Sequence, residues 1–91
     1  MDEFNRKTMD ELDRILASDE TELAKLVQAF DWTTRRIAEV AQSEIELARA
    51  MHDREALVKH QIKTNTVRLV RDVFQNCYLR VTGERARLWE A

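Results

Sequence analysis

The sequence predicts an all-α fold, a helical hairpin or three-helix bundle that is oligomeric, and three observations support this prediction. The 91-residue chain contains no proline and one glycine, Gly83, so few residues interrupt helix formation. Its apolar residues recur at alternating steps near three and four, the spacing of one helical face. A chain this short buries a small core, and its single cysteine, Cys77, cannot form an internal disulfide. Self-association would supplement such a core.

The first predicted helix occupies residues 1–17. Apolar side chains from Met9 to Leu16 share one of its faces. The stripe then stops, and Asp19 followed three residues later by Glu22 has the spacing of a capping box. We therefore predict a short first helix, a tight junction and a new helix that begins near residue 20.

The second predicted helix is long, spanning residues 20–51, and is coiled-coil-like because its apolar stripe repeats every seven residues. This repeat keeps one seam of an α-helix apolar, which is typical of helices that pack against other helices. Thr33 and Glu44 occupy two seam positions, where polar residues either select register or partner or are small imperfections near water. The predicted oligomer seam consists of Leu23, Leu26, Phe30, Ile37, Val40, Leu47 and Met51.

Residues 52–56 interrupt the apolar pattern and allow two interpretations. Either the chain turns here, with Asp53 as the N-cap of the next helix, or one unbroken helix continues. The turn is favoured because it lets two apolar stripes pack against each other within one chain.

The third predicted helix covers residues 54–82 and a tail follows at 83–91, with Gly83 at the helix end. Many residues between Thr64 and Thr82 are β-branched, which suits strands. The three-to-four spacing nevertheless favours a helix, since propensity is a weak guide. Its predicted apolar stripe consists of Val67, Val70, Phe74, Cys77 and Val81.

Charge is divided unevenly along the chain. Residues 1–46 have a formal net charge of −6 and residues 47–91 one of +4. The acidic half can complement the basic half, within one chain or between two, or the basic half can face nucleic acid. The second interpretation identifies four nucleic-acid contacts in the third helix, Lys59, Lys63, Arg68 and Arg71.

Trp32 lies off the seam, and a tryptophan on a helix surface needs a cover. Either the first helix supplies it or another protein does, in which case Arg35 and Arg36 are adjacent contacts. Residues 21–38 also match a helix-turn-helix outline weakly, with a turn at 29–31.

The sequence indicates no catalytic, cofactor or metal site. His52 and His60 are two helical turns apart, too far to share an ion, and Cys77 lies late in its helix on the apolar stripe, as a buried hydrophobe would. No apolar run is long enough to cross a membrane. We expect a cytoplasmic protein without enzyme activity.

No motif identifies a family, so function is inferred from architecture. The leading hypothesis is a non-enzymatic interaction protein, a small adaptor, regulator or inhibitor, that self-associates and presents helix faces to a protein partner. The alternative is an oligomeric nucleic-acid-binding accessory protein, such as a small repressor or a viral small-terminase-like ring, that uses the basic C-terminal half.

Overall fold

The computed structural model describes residues 3–88, and these residues form three helices and no strand, which confirms the all-α prediction. The helices are α1 (Glu3–Leu16), α2 (Glu22–Ala50) and α3 (Arg54–Thr82). Within the described residues, 3–33 with 87–88 form one compact unit and 34–86 form a second. The β-branched part of the chain is helical, because the apolar spacing outweighs intrinsic propensity there.

Thr21, rather than Asp19, caps the start of α2. Its hydroxyl accepts a hydrogen bond from the backbone amide of Ala24 at 3.2 Å, and α2 begins at Glu22. This start lies two residues after the predicted one. Threonine and aspartate are both N-cap residue types, so the local sequence did not decide between two adjacent helix starts.

α2 continues without interruption from Glu22 to Ala50. It therefore has no turn at residues 29–31, and the helix-turn-helix interpretation is wrong. The seven-residue apolar repeat runs through that segment and keeps it helical.

The interruption after α2 is a turn, as the sequence favoured. The Asp53 amide donates to the Ala48 carbonyl at 2.9 Å and the His52 amide to the Arg49 carbonyl at 3.2 Å, the paired bonds of a Schellman motif. His52 has a left-handed φ of 55°, where glycine is the usual residue. Asp53 is the N-cap of α3, and its Oδ1 accepts from the Ala56 amide at 3.1 Å.

Gly83 ends α3 in the left-handed conformation, with φ 79°, and its amide donates to the Leu79 carbonyl at 2.8 Å. Gln75 then fixes the segment that follows. Its Oε1 accepts from the Ala86 amide at 2.6 Å, and its Nε2 donates to the Ala86 carbonyl at 3.0 Å. Ala86 is consequently buried. Residues 89–91 of the predicted tail lie outside the described residues.

In the unit of residues 34–86, α2 and α3 form an antiparallel hairpin. Arg71 Nη1 donates to Thr34 Oγ1 at 2.5 Å, which sets the register of the two helices. One heptad nearer the turn Ala41 is level with Thr64, because both helices rise equally per residue. Ala41 is 0% exposed, so it lies inside this packing.

Candidate interaction surfaces

The predicted seam of α2 is largely exposed in the unit of residues 34–86. Ile37 and Leu47 are 40% and 55% exposed, and Val40 is half-buried. Met51, the last predicted seam residue, follows the end of α2 at Ala50 and is 68% exposed. Aliphatic side chains left in water on one helical face are available to a partner.

The unit of residues 3–33 with 87–88 contains the rest of the seam. Leu23 and Leu26 are 47% and 63% exposed, whereas Phe30 is half-buried. Val27, one residue beyond Leu26, is buried instead. Here too the buried face of α2 is displaced from the seam.

The face of α2 that packs inside the chain lies about a quarter of a turn from the seam, by the geometry of 3.6 residues per turn. The expectation that the two stripes pack together within one chain is therefore wrong. Three of the four buried residues on this face in the second unit are small, and the fourth, Ile45, is a large aliphatic residue. The four residues are Thr34, Ala41, Ile45 and Ala48.

The inner face of α3 is partly polar. Arg71 bonds to Thr34, the Thr64 hydroxyl donates to the His60 carbonyl at 3.0 Å, and His60 Nδ1 is buried without a hydrogen-bond partner among the described residues. The ring centroids of Phe74 and Tyr78 are 6.1 Å apart. The inner residues are buried or half-buried and follow strict three-to-four spacing: Leu57, His60, Thr64, Val67, Arg71, Phe74 and Tyr78.

The predicted apolar stripe of α3 is only partly inward. Val67 is buried and Phe74 half-buried, but Val70, Cys77 and Val81 are exposed. The expectation of a buried Cys77 is therefore wrong. Apolar residues run along both the inner and the outer side of α3, and the sequence of α3 alone does not decide which side α2 covers.

The outer face of α3 is a second exposed surface, which the predicted site residues do not include. Val58, Ile62, Leu69 and Val73 are 54%, 60%, 61% and 53% exposed, at steps of four, seven and four. That spacing places them on one face, opposite the inner residues. The spacing was visible in the sequence, but a helix with apolar residues on both sides gives no sign of which side stays in water.

The three predicted partner contacts are all half-buried. Trp32 belongs to the first unit, whereas Arg35 and Arg36 belong to the second. Arg36 forms an ion pair with Glu39, Nη1 to Oε2 3.6 Å, one turn along α2. Such a surface pair contributes little to stability.

The four predicted nucleic-acid contacts do not share one surface. Lys59 and Lys63 are exposed one turn apart, but Arg68 is exposed about 160° around the helix from them. Arg71 is half-buried and bonded to Thr34. The arrangement brings together one lysine pair and leaves the two arginines on other faces.

Between residues 3 and 88, no group of three or more His, Cys, Asp and Glu side chains is arranged to hold a metal ion. A search of the same residues for a helix with the length and apolar character of a membrane span finds none. A depression at the α2–α3 turn is lined by Ala48, Arg49, His52, Asp53, Arg54 and Leu57.

The hairpin and its two exposed apolar lines are thus the features that bear on function. Comparison of the chain with protein-family models, with curated proteins and with solved structures finds no match.

Proposed function

We propose that this protein is a non-enzymatic interaction protein, a small adaptor, regulator or inhibitor, that self-associates through the α2 seam and presents helix faces to a protein partner. One observation carries the proposal: the seam keeps a seven-residue repeat, yet α3 packs on a different face of α2. The hairpin therefore uses one side of α2 for its own fold and leaves Ile37, Leu47 and Met51 for another helix.

The physical driving force for association is removal of these side chains from water. Burial of apolar surface is worth roughly 25 cal/mol per Å², and several large aliphatic residues contribute together. A small chain without a disulfide gains more from such burial than a large domain does.

Light scattering of paired variants tests the proposal. Ile37→Glu with Leu47→Glu places two carboxylates on the seam, and we expect a smaller particle mass with helicity retained. The matched control, Gln28→Glu with Gln42→Glu, adds the same charge at exposed polar positions of α2 and should keep the mass of the unmodified protein. Equal masses for both variants would contradict the proposal.

A titration with duplex DNA separates this function from the alternative. Each phosphate contact adds about 0.9 to the slope of log affinity against log salt. We expect weak binding even at low salt, because Lys59 and Lys63 lie far around α3 from Arg68. Tight, salt-sensitive binding that is abolished by Lys59→Ala and Lys63→Ala, with the particle mass unchanged, would favour a nucleic-acid-binding protein.

A further inference from the structure

The outer face of α3 carries a line of exposed residues whose spacing is the same when read from either end. Successive steps are three, four, four, three, four, four and three residues, which keeps the line on one helical face. This outer stripe consists of Glu55, Val58, Ile62, Thr66, Leu69, Val73, Cys77 and Arg80.

We propose that the outer stripe binds the outer stripe of a second copy of the chain, with the two α3 helices antiparallel. A two-fold axis level with the middle of the stripe then brings every position opposite a position of the second copy. Ile62 faces Val73 of the second copy, and Val58 faces its Cys77. These four side chains are all exposed in the single chain, so pairing removes their apolar surface from water.

The charges at the ends of the outer stripe identify a second copy as the occupant and determine its direction. Glu55 lies in the first turn of α3 and Arg80 in its last turn, about 37 Å apart along the helix. Antiparallel pairing sets Glu55 opposite Arg80 of the second copy at both ends, whereas parallel pairing sets like charges together. Arg68, which is near the two-fold axis, lies about 130° around α3 from the stripe and faces away from it.

This inference deepens the proposed self-association and rests on it for the kind of partner, but it uses a separate surface. The seam belongs to α2 and the outer stripe to α3. If both surfaces bind further copies, the seam variant with Ile37→Glu and Leu47→Glu is reduced to a dimer held by α3.

Cross-linking in that seam variant tests the pairing. Val58→Cys introduces a thiol opposite the native Cys77 of the second copy, whereas positions 58 and 77 of one chain are about 28 Å apart, beyond disulfide reach. The control is Gln61→Cys, an exposed position on a different side of α3. With glutathione disulfide as the oxidant, we expect Val58→Cys to form a covalent dimer at least tenfold faster than the control. Equal rates would overturn the pairing.

Light scattering of the unmodified protein distinguishes failure of the α3 pairing from failure of self-association as a whole. A mass above 10.8 kDa without cross-linking of Val58→Cys would overturn the α3 pairing alone, and a mass of 10.8 kDa without cross-linking would overturn self-association as well. Charge reversal adds a second readout. Glu55→Arg should slow cross-linking several-fold, and Arg80→Glu added to it should restore the rate; failure to restore it would contradict the antiparallel register.

Discussion

Truncation of Val67, compared with the same truncation of Val81, tests which side of α3 packs inside the chain. Val67 is 8% exposed and Val81 is 85% exposed. Val67→Ala removes two buried carbon atoms, worth about 0.8 kcal/mol each, and leaves a cavity that costs more. Alanine recovers a few tenths of a kcal/mol in helix propensity. We expect a net loss of about 2 kcal/mol in the free energy of unfolding.

Val81→Ala makes the identical chemical change in water, so we expect it to be neutral or stabilising by a few tenths of a kcal/mol. Urea unfolding at one fixed protein concentration measures both variants, because association couples stability to concentration. The Val67→Ala loss corresponds to a fall of about 10 °C in Tm for a chain of this size. Equal losses for the two variants, or a larger loss for Val81→Ala, would refute the assignment of the inner face.

Three further predictions concern the contacts that shape the hairpin. Thr34→Val should lower the free energy of unfolding by about 1–2 kcal/mol, because the half-buried Arg71 loses a hydrogen-bond acceptor; a double-mutant cycle with Arg71→Met should return a coupling near 1 kcal/mol, and additive effects would contradict the bond. His52→Gly should stabilise by about 0.5–1 kcal/mol in thermal unfolding, since glycine adopts the left-handed conformation without steric cost, and a loss of stability would count against the turn geometry. Gln75→Leu should remove both hydrogen bonds to the Ala86 backbone, so we expect faster hydrogen exchange at the Ala86 amide and a loss of about 1–2 kcal/mol in the free energy of unfolding. Unchanged exchange would contradict these bonds.

Two substitutions serve as controls for these predictions. Gln61→Gly places glycine at an exposed position inside α3 and should cost about 1 kcal/mol, the opposite sign to His52→Gly. Asn76→Leu alters the exposed neighbour of Gln75 and should leave exchange at Ala86 unchanged.

Much of the fold could be predicted from the sequence, because local signals specify it. The absence of proline and the three-to-four apolar spacing predict helices, and Asp53 and Gly83 mark the two ends of α3 through their capping chemistry. Local sequence does not specify the start of α2 in the same way, since Asp19 and Thr21 are both suitable caps.

The packing faces could not be predicted from local patterns. α2 offers an aliphatic seam and, beside it, a face of mostly small residues that also includes Ile45, and the hairpin packs through this second face. The face of α2 that contacts α3 is determined by how the side chains of both helices fit together, which the sequence of one helix does not show. Arg71 illustrates the same limit: its charge suggests a nucleic-acid contact, whereas its hydrogen bond to Thr34 lies inside the hairpin.

Sedimentation equilibrium of the unmodified protein across micromolar concentrations tests the central claim most directly. The exposed seam of α2 and the outer stripe of α3 both predict reversible self-association, so the average mass should exceed 10.8 kDa and fall on dilution. A single species of 10.8 kDa over the whole concentration range would contradict the claim that these helix faces bind further copies of the chain.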